Sequence, residues 1–441
     1  MDLERYLREF AATSCDCKKA HRFTISKIIV EKNAIDMVPE QIEKFGCKKP
    51  FILADKNTFN AAGNKLCKLF EEKNISYSKH ILPSLMPEPD ENSVGNAVMH
   101  FDSSCDLVIS VGSGVINDIG KILANTSGLP YFIIGTAPSM DGYASATSSM
   151  SMDGLKVSLP STCADVIIGD IDVLSNAPIK MMISGLGDML AKYVSICEWR
   201  ISHLINGEYY CEKIAELVRS SLKKCVENAE GLLKRDEKAV KSVFEGLIVC
   251  GAAMKFAGLS RPASGTEHYL SHIWDMRGLE FGTPVELHGI QCAVGTLISI
   301  ELYEKLKSIV PDEEKAFMYV QSFDFSLWSE ELREFLGRGA DSMIALEEKE
   351  QKYNKESHKK RIARIIENWG ELQKIIKEEL PTIREIKKLY DKVGLPKTMT
   401  EIGLSEEILP LTFKSAKDIR DKYVLPRLCW DLGIIDEIFE L

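Results

Sequence analysis

Short apolar runs alternate with helically spaced segments from the start of the chain to about residue 165. IIV (28–30), FILAD (51–55), ISYSKHIL (75–82), DLVISV (106–111) and YFIIG (131–135) are rich in β-branched or alternating residues, and each predicts a strand. Residues 34–45, 57–74, 94–101 and 116–125 lie between them with apolar positions at helical spacing. Asn57 or Thr58 is expected to cap the helix of 57–74. Repeated β-α-β units of this length predict a parallel sheet covered on both faces, with right-handed connections.

Residues 136–165 break the alternation. They are rich in Gly, Ser, Thr and Ala, and Asp153-Gly154 between short alternating runs predicts a hairpin. After VIIGDIDVL (166–174) the pattern turns helical, with long amphipathic segments at 208–235 and 358–380. Their charge runs are expected to be solvated helix faces. The fold expected is an α/β domain over 1–170, with a parallel Rossmann-like sheet, followed by an all-α domain over 171–441. The boundary falls between 165 and 178.

Composition narrows the partners. The 441 residues are 45% hydrophobic and 27% charged, as in a soluble globular protein of two domains. A net charge of −10 argues against nucleic acid, whose phosphates it would repel. No run of 18 uncharged apolar residues exists to cross a bilayer, and MDLERYLREF lacks a signal peptide's apolar core. A cytoplasmic location is expected. The 12 cysteines are scattered, with one Cys-x-Cys (Cys15, Cys17), and read as reduced thiols rather than a zinc cluster.

Candidate chemistry sits at five places. Gly112-Ser113-Gly114 follows a strand and opens a helix, an arrangement that suits a pyrophosphate or simply a tight turn. The dinucleotide fingerprint asks for glycine at 117, where this chain has Asn117. Asp55 ends a strand, where it is placed either to accept from ribose hydroxyls or to cap the next helix. His268 and His272 stand at i and i+4 with His288 close behind, so imidazoles are available for a metal. In GLGDMLAKY (185–193), Asp188 is expected in the first turn of a helix, as a dipole-compensating residue paired with Lys192 or as a carboxylate ligand. The loop 135–145 offers hydroxyls and Asp141 to a cofactor or polyol.

GSGVIND, TAPSMDGYAS, GLGDMLAKY, SRPASGTEHYLSHIWDM, LHGIQCAVGT and RDKYVLPRLCWDLGIID together resemble the glycerol-1-phosphate dehydrogenase family, bacterial branch. That family lies within the superfamily of metal-dependent alcohol dehydrogenases and dehydroquinate synthases. The resemblance runs from about residue 20 to the C-terminus. It implies a dehydroquinate synthase-like fold and reduction of dihydroxyacetone phosphate to sn-glycerol-1-phosphate, a precursor of archaeal-type glycerol lipids. It implies that Gly112, Gly114, Val115, Ile116, Asn117 and Asp118 bind the pyrophosphate, and that Thr136, Ala137, Pro138, Ser139 and Ser145 line the nicotinamide and ribose. It implies that Asp188, His268 and His288 hold one divalent ion, zinc or nickel. Asp141, Asp188 and His272 are then the residues that meet substrate, with His272 facing substrate rather than metal. Lys156, Lys192 and Arg261 are the candidates for the substrate phosphate. NAD(H) is expected over NADP(H) because of Asp55, and a homodimer is expected. One departure stands out. The family's usual His-Gly-Glu-Gln reads His288-Gly289-Ile290-Gln291 here, so a carboxylate that supports the metal ligands is expected to be missing. The rival readings are a glycerol or other polyol dehydrogenase on the same scaffold and a non-catalytic helical regulator.

Overall fold

The computed structural model describes residues 2–152 and 155–440. Six strands form one parallel sheet: β1 (Lys27–Glu31), β2 (Pro50–Asp55), β3 (Ser78–Leu82), β4 (Leu107–Gly112), β5 (Tyr131–Gly135) and β8 (Val166–Asp170). Their order across the sheet is β1-β8-β5-β4-β2-β3. β2, β4, β5 and β8 are buried at every position, as strands covered on both faces must be. Their apolar runs therefore show no alternation, and Ile52, Ile109, Ile134 and Ile168 share one core with Ile35, Leu66 and Phe70.

β6 (Thr147–Met152) and β7 (Leu155–Pro160) pair antiparallel as a separate ribbon. The expected turn at Asp153-Gly154 lies outside the described residues. Beyond Asp170 every element is helical, so an α/β N-terminal region is followed by a mostly helical C-terminal one.

The strand order marks a ligand position. From β2 the chain steps outward to β3, then returns to lay β4 on the other flank of β2. Connections diverge at that point, and open α/β sheets bind ligands in the crevice outside the carboxyl ends of such strands. Asp55 ends β2 and Gly112 ends β4.

Two compact units are present. One comprises Met1–Met189 with Glu216–Ser260, the other Leu190–Ala215 with Arg261–Leu441. The first unit thus recruits the helix Glu237–Ala257, whose Phe244 ring lies where a Cβ on Gly135 or Gly169 would have to go. A division drawn at residue 170 follows the end of the sheet. Packing extends the first unit because this later helix covers the sheet's glycines.

Some local expectations change. The helix of 57–74 is capped by Asp55, not by Asn57 or Thr58. Asp55 accepts from the Thr58 backbone N–H at 2.8 Å, and the Thr58 hydroxyl accepts from the Asp55 N–H at 3.0 Å. That reciprocal pair starts the helix at Lys56, and one π turn at Phe59–Gly63 interrupts the helix. The segment 358–380 is two helices, Lys355–Glu367 and Trp369–Glu379, which break at Asn368.

Candidate functional site

In the first unit, the turn after β4 leads into the helix Gly114–Ser127. Its opening N–H groups lack intrahelical acceptors, and its N-terminus carries a partial positive charge. A Cβ on Gly112 would lie 2.5 Å from the Cβ of Ile116, so Gly112 is required by the fold itself. A Cβ on Gly114 would meet only the Met140 side chain, at 3.4 Å, so protein atoms leave that backbone approachable. The packing role of the fingerprint's third glycine passes to Gly120. A Cβ there would lie 1.8 Å from the Ser110 hydroxyl and 3.0 Å from the Tyr131 ring, so helix and strand meet closely at that residue.

Asn117 is buried and faces inward. It accepts from the Tyr131 hydroxyl at 3.0 Å and donates to the Gly142 carbonyl at 3.0 Å. Asp118 pairs with the buried Lys121 at 2.8 Å and accepts from the Ser149 N–H at 3.2 Å. Lys121 also donates to the Thr147 carbonyl at 2.6 Å. These three side chains fasten the loop 136–145 and the β6–β7 ribbon to the helix. A ligand at this turn would therefore meet the backbone of Gly114, Val115 and Ile116 rather than the side chains of Asn117 or Asp118.

The loop after β5 is held at each end. The Thr136 N–H donates to the Gly112 carbonyl at 3.0 Å, and the Tyr143 hydroxyl donates to the Ala137 carbonyl at 2.6 Å. Ser139 bonds Ser113 through its hydroxyl and accepts from the Ser184 hydroxyl at 3.1 Å through its carbonyl. The Ser145 hydroxyl accepts from the Thr147 N–H at 3.1 Å. Gly185 lets the helix Ile179–Leu190 lie against the Pro138 carbonyl, which a Cβ would approach to 1.8 Å.

That helix begins at Ile179, so Asp188 stands in its last turn, not its first. The dipole argument for Asp188 therefore fails, since a carboxylate at a helix C-terminus is disfavoured. Asp188 is fully buried and accepts from the Asp141 N–H at 2.9 Å. A buried carboxylate placed against the dipole has to be held by its partners, and the Asp141 N–H is one of them.

In the second unit, two helices carry the histidines: Thr266–Phe281 holds His268 and His272, and His288–Leu306 opens on His288. Gly295 lets them cross backbone to backbone, because a Cβ there would fall 2.7 Å from the Glu267 carbonyl oxygen. The His268 and His288 ring centroids are 5.0 Å apart, against 6.1 Å for His272 and His288. His268, His288 and Cys292 each offer a donor atom within 4.8 Å of the others. Cys292 was not among the sequence candidates, although it stands at i+4 from His288. Burial pushes its thiol up, but the two imidazoles outweigh this and hold it below the ordinary value.

His268 has its support. Its Nδ1 lies 2.8 Å from a Glu267 carboxylate oxygen that also accepts from the Gly265 N–H at 2.7 Å. The carboxylate holds the proton on Nδ1 and leaves the Nε2 lone pair for a cation. Ile290 brings no carboxylate, but Glu267 places one next to His268 itself. Glu198 accepts from the Thr266 N–H at 2.9 Å and the Leu425 N–H at 2.9 Å, so it caps the helix from outside. Burial first, and then the Glu267 charge, push the Glu198 carboxyl above its ordinary range.

The phosphate candidates separate. Arg261 is buried in an ion pair with Glu208, with Nε at 2.8 Å from one carboxylate oxygen, and Lys192 donates to the Ala263 carbonyl at 2.9 Å. Both hold the 261–265 segment in place. Lys156 lies on β7. Sequence reasoning missed Lys422, which donates to the Ser264 hydroxyl at 2.6 Å. Burial, with Arg261 and Arg420 adding to it, lowers its ammonium to about 7.

Residues 29–178 match the model of the iron-containing alcohol dehydrogenase family. A glycerol-1-phosphate dehydrogenase [NAD(P)+] of Halalkalibacterium halodurans is 33% identical over 66% of this chain and 74% of its own length. One from Geobacillus thermodenitrificans is 30% identical over 74% of this chain and 81% of its own length. The chain belongs to the glycerol-1-phosphate dehydrogenase family. Among solved structures, a glycerol dehydrogenase of Schizosaccharomyces pombe superposes with a TM-score of 0.60 at 17% identity, covering 96% of this chain and 92% of the other. That similarity supports the fold alone. The backbone N–H groups after Gly112 in the first unit, and the imidazoles of His268 and His288 in the second, are donor types of use to a metal-dependent, NAD(P)-linked family.

Replacing Glu267 by Ala is expected to weaken divalent-ion binding by about 10- to 100-fold, the usual cost of losing such a partner. Metal content after dialysis against graded chelator measures it, and undiminished retention would show that Glu267 serves only the helix terminus.

Proposed function

We propose that this chain catalyses the reversible NAD(P)H-linked reduction of dihydroxyacetone phosphate to sn-glycerol-1-phosphate with a divalent ion. The observation that carries the reading is the Glu267 carboxylate 2.8 Å from Nδ1 of His268, beside His288, in a chain whose family acts through metal and NAD(P). Residues 1–170 would serve the dinucleotide, and 171–441 the metal and substrate. Asp188, His268 and His288 would hold zinc or nickel, borderline ions that suit imidazole and carboxylate together. When bound, the ion supplies Lewis-acid polarisation of the C2 carbonyl, worth several kcal/mol, and the nicotinamide supplies hydride.

The chain's own residues position these parts. Gly112, Gly114, Val115 and Ile116 present turn and helix N–H groups to the pyrophosphate, while Asn117 and Asp118 secure the turn from inside. Thr136 to Ser139 and Ser145 line the nicotinamide and ribose. Asp141 and Asp188 orient the substrate's hydroxyl, and His272 delivers the proton to the C2 oxygen. A cytoplasmic homodimer is the proposed state.

The test is NADH oxidation with dihydroxyacetone phosphate and, separately, with dihydroxyacetone, over a panel of divalent metals. A strong preference for the phosphorylated ketone is expected. Equal or better turnover of dihydroxyacetone would instead support the polyol dehydrogenase reading, the activity named for one structural neighbour.

His272→Ala should retain stoichiometric metal and lose about 100-fold in kcat, the scale of a general acid–base group. Loss of the metal in that variant would move His272 into the ligand set.

NADH is the proposed preferred cofactor. Asp55 stands at the sheet's divergence point, where its carboxylate would repel the 2′-phosphate of NADP. Since Asp55 also caps a helix, Asp55→Asn is the informative change, because asparagine caps equally well. It should raise kcat/KM with NADPH relative to NADH by roughly tenfold, or about 1.4 kcal/mol. An unchanged ratio would leave Asp55 as a cap only.

A further inference from the structure

Residues 13–26, between the helix Leu3–Ala12 and β1, contain neither helix nor strand. A stretch of that length without secondary structure needs some other means of holding its shape. Within it, Cys15, Cys17 and His21 each bring one donor atom within 4.8 Å of the others. The Cys17 sulfur lies 3.4 Å from Nε2 of His21. A tetrahedral zinc with bonds of about 2.3 Å to sulfur and 2.0 Å to nitrogen sets neighbouring sulfur and nitrogen donors roughly 3.5 Å apart. The observed separation matches that edge.

A second, independent observation concerns the other ring nitrogen. Nδ1 of His21 lies 3.1 Å from the Phe256 carbonyl oxygen, near the end of the helix Glu237–Ala257 in the same unit. A carbonyl can only accept, so Nδ1 carries the proton and Nε2 turns its lone pair toward the sulfurs. Metal-bound histidines are commonly held by this kind of partner. His21 is buried beside the Phe10 and Phe256 rings, at centroid distances of 6.0 Å from each. Both cysteines are thiols. Two thiolates and one neutral imidazole balance the charge of a divalent ion and leave the fourth position to a further donor.

We propose that Cys15, Cys17 and His21 form a second, thiolate-rich zinc site, structural in role and separate from the proposed catalytic ion. Binding replaces two S–H protons with two zinc–sulfur bonds and releases the protons to solvent, with no change of oxidation state. The ion would tie the N-terminal segment to the helix Glu237–Ala257, adding to the Phe10–Phe256 stack at 5.1 Å and the bond of Lys255 to Thr24.

The test uses the full-length chain, reduced, stripped of metal and titrated with cobalt(II) and with zinc. Wild type should show a sulfur-to-cobalt charge-transfer band and bind one zinc equivalent more than Cys15→Ser/Cys17→Ser. That double variant should lose the band, keep its remaining metal and keep wild-type turnover. His268→Ala should keep the band, which separates this site from Cys292 near the proposed catalytic ion. Should the double variant fail to fold, His21→Cys serves instead, and an intensified band from the added thiolate supports the site. Replacing each other cysteine singly identifies any fourth sulfur ligand. No band in wild type, or equal zinc content in wild type and double variant, overturns the proposal and leaves a thiol–imidazole hydrogen bond. A band that survives the double replacement does the same.

Discussion

The chemistry of the second unit rests on two helices that touch backbone to backbone where Gly295 meets the Glu267 carbonyl. Ordinary helix pairs are held 8–10 Å apart by their side chains. A glycine at the contact removes that spacer, so side chains reaching from the two helices can converge on one point. His268, His288 and Cys292 do so, and Glu267 sits at the contact and fixes the ring beside it. The helix start is itself secured from outside by Glu198, since Gly265 has no side chain with which to cap it. The convergence of these donor atoms is therefore set by helix packing.

The first unit reaches comparable rigidity by different means. Buried polar side chains tie the loop after β5 to the helix after β4, and Asp118 and Lys121, paired with each other, each also bond the ribbon, at the Ser149 N–H and the Thr147 carbonyl. An ammonium removed from water is costly unless it is paired and fully bonded. Lys121 is both, so the loop has few alternative positions. Gly185 closes the other side of that loop against Pro138.

β2, β4 and β5 are legible because their apolar runs are uninterrupted, which only burial on both faces permits, and β3 is legible from its alternation. The sheet's strand order is not, since no local pattern records which strand lies beside which. Asp188 shows how a motif can be recognised and still be misplaced. Its two glycines look like a helix start, yet Met181, Met182 and Ile183 already continue a helix from Ile179, and Gly185 is a contact residue rather than a breaker. Asp55 was read with both its roles, and the structure establishes the capping one. Cys292 and Lys422 escaped notice because their significance depends on neighbours far away in sequence. Glu267 is hidden for the opposite reason: it stands beside His268, whereas the family's usual carboxylate stands at position 290.

The division of roles between Asn117 and Gly120 has a consequence for the turn. The glycine that allows close packing of helix on strand lies three residues beyond its place in the dinucleotide fingerprint, and position 117 is left to a side chain that anchors the loop. Replacing Asn117 by glycine would restore the fingerprint's spelling and unfasten the loop, so in this chain the familiar motif and the anchored loop exclude each other.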